Sequence, residues 1–238
     1  MIKRLFDVLL SVLVLVAASP VLAAAMLAIW SHDGGPALYR AARVGRGNRD
    51  FRMLKLRSMT VGAEHRGAAS TGRSDARITP VGRFLRRTKL DELPQFWNVL
   101  VGEMSVVGPR PNSRRGGVDR YTPAELRLLS VRPGITDLAS IVFADEGEII
   151  DAAADPDALY DALIRPWKSR LGLLYIDRAG FADDCRIVAL TALALVARPA
   201  ALRGVEAVLT RWGAPEPVKS ACRRREPLAP APPPGVAA

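Results

Sequence analysis

Between Val8 and Trp30 the chain carries no charged residue, a run of roughly 23 apolar or small positions that would fill about 30 Å of hydrocarbon as one straight helix. The pattern then changes. Residues 31–36 form a Gly-rich exit, and residues 51–59 read as a strand with Lys55 and Arg57 on one face and Leu54 and Leu56 on the other. Residues 61–76 are polar and rich in Gly, Ser and Arg, a mobile surface loop. Thr79-Pro80 has the form of a helix N-cap, opening a basic helix over 81–87. A second helix is expected to begin at residues 88–91 and to end near Val101-Gly102. Pro94 fits only in its first turn, where amide donors lack partners anyway, and this pins Asp91 and Glu92 to the helix start.

Farther on, Arg132-Pro133-Gly134-Ile135-Thr136 signals a turn and residues 156–175 a helix. Residues 187–196 are apolar but too few to span a bilayer. They lie either on the membrane plane, with Arg186, Arg198, Arg203 and Arg211 around them, or against the domain. The Pro- and Ala-rich stretch 214–238 is expected to be disordered. The pattern predicts an α/β fold, mostly helical with a small sheet. It divides into a membrane segment (1–33), a folded domain (34–205) and a tail (214–238).

Composition sharpens this picture. The 238 residues carry a net charge of +10, which suits a phosphate-rich partner: a nucleotide, an anionic leaflet or a nucleic acid. Aromatic residues make up only 6%, and no basic-aromatic strand pattern of the RNA-binding kind appears, so no nucleic-acid partner is expected. Two distant cysteines and two isolated histidines argue against a zinc site and a disulfide framework.

The apolar run is longer than the core of a cleaved signal peptide. Basic residues flank it on both sides: Lys3 and Arg4 before, Arg40, Arg43 and Arg46 after. Ser19-Pro20 sits at its centre, where proline removes a hydrogen bond and bends a helix. A re-entrant hairpin broken at Ser19 and Pro20 satisfies both features, and a spanning helix with a proline kink fits as well.

Asp91 and Glu92 could simply favour a helix N-terminus by about 0.3–1 kcal/mol. Lys55, Arg57, Arg86 and Arg110 lie on separate segments that could converge on them, and Arg110 is braced between Pro109 and Pro111, a rigid fork suited to phosphate. A carboxylate facing a phosphate at 4 Å meets roughly 4 kcal/mol of repulsion at an effective dielectric of 20. Arginines and a Mg²⁺ ion held by one or two carboxylates are the usual remedy.

In order, Lys3-Arg4-Leu5-Phe6-Asp7, Ser19-Pro20, Gly35-Pro36-Ala37-Leu38-Tyr39-Arg40, the Lys55-Leu56-Arg57-Ser58-Met59 stretch, Leu90-Asp91-Glu92-Leu93-Pro94-Gln95, Gly102-Glu103-Met104-Ser105, Val107-Gly108-Pro109-Arg110-Pro111 and Val131-Arg132-Pro133-Gly134-Ile135-Thr136 resemble the bacterial sugar transferases, the monotopic polyprenyl-phosphate phosphoglycosyl transferases. The resemblance covers residues 2–205. It implies transfer of a phosphosugar from a nucleotide diphosphate sugar, with UDP the expected nucleotide, to polyprenyl (undecaprenyl) phosphate, as the first membrane step of glycan assembly.

Carried onto this chain, Asp91 is the nucleophile and lies next to Mg²⁺, while Glu92 assists as base or metal helper. Arg110 holds phosphate, with Lys55, Arg57, Arg86 and Arg132 as further phosphate contacts. The resemblance also favours the re-entrant hairpin, amphipathic helices on the membrane surface, contact with membrane lipids, and an active site on the cytosolic face of the inner membrane. A catalytically inactive member and a membrane-tethered nucleic-acid binder are the rival readings. Asp137-Leu138-Ala139-Ser140, running on to Asp145-Glu146, departs from the commonest family pattern. With Tyr160, Pro166, Lys168 and Tyr175 it resembles another branch, so the sugar stays open.

Overall fold

Two short sheets organise a mostly helical chain. The computed structural model describes residues 1–68, 70–151 and 153–236. In order, the elements are α1 (Ile2–Asp33), β1 (Leu38–Val44), β2 (Asp50–Leu56), α2 (Pro80–Thr88), α3 (Gln95–Val101), β3 (Ser105–Val107), α4 (Pro123–Leu126), β4 (Gly134–Thr136), α5 (Leu138–Val142), α6 (Glu146–Ile149), α7 (Pro156–Leu163), α8 (Arg165–Arg178), α9 (Phe181–Arg211) and α10 (Glu216–Arg223). β1 and β2 form an antiparallel hairpin, and β3 pairs with β4 in parallel. The α/β class holds, with helix dominant.

α1 runs through Ser19-Pro20 without interruption, so the break expected there is absent. Proline cannot donate to the Val16 carbonyl four residues back. The Ser19 hydroxyl donates to that oxygen instead, at 2.8 Å, and the turn stays satisfied. A straight helix of 32 residues measures about 48 Å. Leu5, Leu9, Leu13, Val16 and Leu27 on it are exposed. α1 and α9 are the two helices among the described residues long and apolar enough to cross a membrane by length and composition.

Both ends of α1 are tied to the same body. At the start, Lys3 Nζ reaches Val107 O at 3.0 Å and Asp184 Oδ2 at 2.8 Å, and Arg4 caps α3 by donating to Val99 O and Leu100 O. These two residues, which sequence alone offers as flanking charges, are docking groups. Asp7, 2% exposed, accepts from Val106 N at 2.9 Å and from Ser105 Oγ at 2.8 Å. Asp7→Ala strands a buried amide and a hydroxyl. Thermal unfolding is expected to show a loss of about 1–3 kcal/mol, and an unchanged melting temperature would deny the docking role. At the far end, Ile29 packs on Leu56 and Leu85, and the Asp33 carboxylate receives both terminal nitrogens of Arg57 at 2.5 Å.

The main core gathers around β3, α5, α8 and α9. It does not stop at residue 205: Val208, Leu209, Trp212, Val218 and Cys222 belong to it, so the expected domain boundary falls inside α9. Residues 187–196 form part of that helix rather than a separate surface element. Ile187 is fully buried, while Leu195 and Val196 stay exposed beside a kink at Ala197, just ahead of Pro199. The expected disorder of 214–238 is likewise not seen in its described part. Beyond α10, Ala231 N donates to Ala162 O at 3.2 Å, Arg170 to Pro232 O at 2.8 Å and Thr122 Oγ1 to Pro234 O at 2.6 Å. Proline has no amide to donate, but its carbonyl still accepts.

Candidate active site

Thr79 caps α2 by accepting from Gly82 N at 2.9 Å, with Pro80 in the first turn. A Cβ on Gly82 would lie 1.9 Å from Ser58 O, so only glycine lets α2 press against the chain leaving β2. That closeness brings Arg86 Nε to Ser58 Oγ at 3.0 Å. Lys89, in the left-handed region at φ 58°, ends α2 and turns the chain into a single 3-10 turn, Leu90–Glu92, which leads through Pro94 into α3. The acids therefore occupy their own turn between two helices, instead of the first turn of one.

Within that turn they diverge. Glu92 is gripped: Arg110 donates to its two oxygens at 2.8 and 3.0 Å, and Lys55 Nζ lies 3.5 Å away. Arg110 is carried by the Gly108-Pro109 turn, which the parallel pair fixes through Gly108 N to Thr136 O at 3.1 Å and Gly134 N to Pro109 O at 3.0 Å. Asp91 is 5% exposed, and its Oδ1 has no hydrogen-bond partner.

The electrostatics follow. Burial pushes the Asp91 carboxyl above the usual aspartate value; Lys55 and Arg86 pull it back and Glu92 adds to the rise. For Glu92, burial acts upward too, but Arg110 and Lys55 outweigh it and hold the carboxyl well below the ordinary range. Burial lowers the Lys55 ammonium, opposed by Glu92.

Both acids face a cleft of about 1090 Å³ in which basic side chains outnumber acidic ones, large for a small-molecule site. Lys55, Arg86 and Arg110 line it as expected. Arg57 and Arg132 do not. β2 ends at Leu56, so strand alternation no longer governs Arg57, which turns to Asp33 and to Pro36 O. Arg132 is exposed and reaches back to Gly102 O at 2.8 Å.

Arg43, unassigned from sequence, joins the site because the hairpin register sets Tyr39 opposite Lys55 and Ala41 opposite Met53. Alternate residues of both strands then share the cleft face. The alternation in 38–44 was the available signal. Glu146, Tyr160 and Lys168 also line the cleft. The described part of the 61–76 loop is held rather than free there, with Arg73 N donating to Gly147 O at 3.0 Å and Ser74 N to Asp151 Oδ1 at 2.6 Å.

Among the described residues no group of three or more His, Cys, Asp or Glu side chains could hold a metal ion. A Mg²⁺ ion needs only one or two protein carboxylates beside substrate phosphates, and Asp91, which lines the cleft and has one oxygen without a partner, fits that role. Glu92 has both oxygens engaged by Arg110.

The bacterial sugar transferase family model matches residues 1–198. The chain belongs to the bacterial sugar transferase family. Relatives of this chain include a UDP-N-acetylgalactosamine-undecaprenyl-phosphate N-acetylgalactosaminephosphotransferase of Aeromonas hydrophila, 43% identical over 59% of the chain and 34% of the relative. UDP-glucose:undecaprenyl-phosphate glucose-1-phosphate transferases of Klebsiella pneumoniae and Caulobacter vibrioides are 39% and 42% identical. They cover 73% and 58% of the chain, and 38% and 53% of their own lengths. The chain thus spans about a third to a half of the length of these relatives. Their names differ in the sugar, so likeness alone does not fix the donor.

Proposed function

We propose that this sugar transferase moves a sugar 1-phosphate from a UDP-sugar to polyprenyl phosphate through a covalent adduct on Asp91. The observation that carries the reading is Asp91 itself, a buried carboxylate that lines a basic cleft with its Oδ1 unpartnered. The Asp91 carboxylate attacks the sugar-bearing phosphorus, the bond to the α-phosphate oxygen breaks, and UMP leaves. An oxygen of the lipid phosphate then attacks the same phosphorus, and the Asp91 carboxylate departs unchanged. Desolvation keeps the carboxylate reactive, and Lys55, Arg86 and Arg43 offset phosphate charge. Arg110 locks Glu92 in one orientation, with Glu92 placed to accept a hydrogen bond from the incoming lipid phosphate. Mg²⁺, when bound at Asp91, would neutralise the donor's diphosphate.

The lipid acceptor requires a site at a membrane. A largely exposed apolar helix whose two ends dock on one body supports α1 lying along one face of the inner membrane, with the cleft in the cytosol.

The test is the purified protein with UDP-sugars, Mg²⁺ and polyprenyl phosphate. UMP release is expected, with a burst of one equivalent and a phosphosugar adduct on Asp91 when the lipid is withheld. Product formed with no adduct would overturn the covalent route. Because the nucleophile must be ionised and its carboxyl is raised above 3.8, the rate of UMP release should fall on acidification at a pH above the ordinary aspartate range. An acid limb at or below that range would remove Asp91 from the rate.

A further inference from the structure

We propose that Glu146, Tyr160 and Lys168 form the subsite that grips the neutral, hydroxyl-rich part of the donor, its hexose or its ribose. The inference rests on the transfer reading above. Asp91 and Glu92 meet the phosphates with Lys55, Arg86 and Arg110 beside them. Glu146, 43% exposed on the cleft wall, instead forms a pair with Lys168 that offers no net charge to a phosphate, and so suits a part of the ligand without one. The Lys168 Nζ that Glu146 receives also lies 5.3 Å from the centre of the Tyr160 ring. Acceptor and donors side by side suit a pair of vicinal hydroxyls, and the ring offers a flat apolar face.

The wall is preorganised. Asp145, next to Glu146, receives Arg198 at 2.7 Å and Arg224 at 3.0 Å, which fixes the turn presenting Glu146. α7 and α8, which carry Tyr160 and Lys168, are held by the tail through Ala162 and Arg170.

The experiment uses the full chain in lipid nanodiscs, with UDP-glucose, UDP-galactose, UDP-N-acetylglucosamine and UDP-N-acetylgalactosamine as donors and UMP as inhibitor. KM and calorimetric Kd are measured in parallel for Glu146→Gln, Lys168→Met and the charge-swapped double variant Glu146→Lys/Lys168→Glu. Each single variant is expected to weaken donor binding about 10- to 100-fold, with a smaller change in kcat. The swap restores the melting temperature but not KM, which separates recognition from mere structural pairing. If the hexose is gripped, preference among the four donors changes and UMP inhibition does not. If the ribose is gripped, UMP inhibition weakens and the preference stays. Donor and UMP affinities all within twofold of wild type, or KM restored by the swap, would overturn the subsite. A wild type that binds donors but releases no UMP would instead overturn the transfer reading, and Kd alone would decide the subsite.

Discussion

Asp91→Asn is expected to release UMP at least about 10³-fold more slowly than the wild type while melting at a higher temperature. The two effects share one cause. The amide keeps the shape of the side chain but cannot attack phosphorus, so the covalent route closes. For stability, the Asp91 carboxyl is raised in the folded protein above its unfolded value near 3.8, because the charged form sits in a buried position with one oxygen unpartnered. Such a group favours folding below the unfolded value, and that advantage is lost as pH rises through the folded one. At neutral pH the ionised Asp91 therefore weighs against the fold, and the neutral amide relieves it. The gain in melting temperature should shrink as the pH is lowered toward 4. A variant that turned over normally would end the nucleophile assignment. One that melted lower at neutral pH would deny the burial cost.

Arg110→Lys is expected to lower kcat/KM about 100-fold and stability by about 1–3 kcal/mol. Arg110 donates to both oxygens of Glu92 and also to the Ile135 carbonyl; a point charge cannot serve all three. Arg110→Ala leaves Glu92 half-buried without its main partner and should cost about 3–5 kcal/mol. Glu92→Gln in the Arg110→Lys background should add little further loss, since the pair acts as a unit. The sign of the pH dependence is opposite to that of Asp91. The Glu92 carboxyl is depressed, so its contribution is present above the ordinary glutamate value of 4.5 and fades as pH falls below it. Chemical unfolding of wild type and Arg110→Lys between about pH 3 and 7 checks this: the gap between the two curves should begin to narrow below the ordinary glutamate value. Kinetics unchanged in Arg110→Lys would remove the fork from the site.

Local signals carried much of this arrangement. Thr79-Pro80 reads as a cap from sequence and is one. The acids were legible as a pair beside a helix start, and Arg110 as a fork between prolines. What failed was whatever depended on where an element stops or on what lies across from it. Arg57 was assigned to the cleft by strand alternation, and the strand ends one residue earlier. Arg132 belongs to a motif whose glycine matters more than its charge: a Cβ on Gly134 would sit 2.2 Å from Gly108 N, so that motif's work is backbone approach. Lys3 and Arg4 look like membrane-flanking charges because nothing local reveals Asp184 or the end of α3. The tail's composition suggested disorder, and its order comes from carbonyls meeting donors on distant helices. Such long-range pairings leave no trace in periodicity.

The family match ends at residue 198, yet Arg224 lies beyond it and clasps Asp145. Transplanting the cleft-lining segments of this chain into a relative, without the stretch after residue 198, would remove one of the two arginines that clasp Asp145 behind Glu146. A graft meant to move this wall of the cleft must therefore bring the carboxy-terminal brace along with the loop it supports.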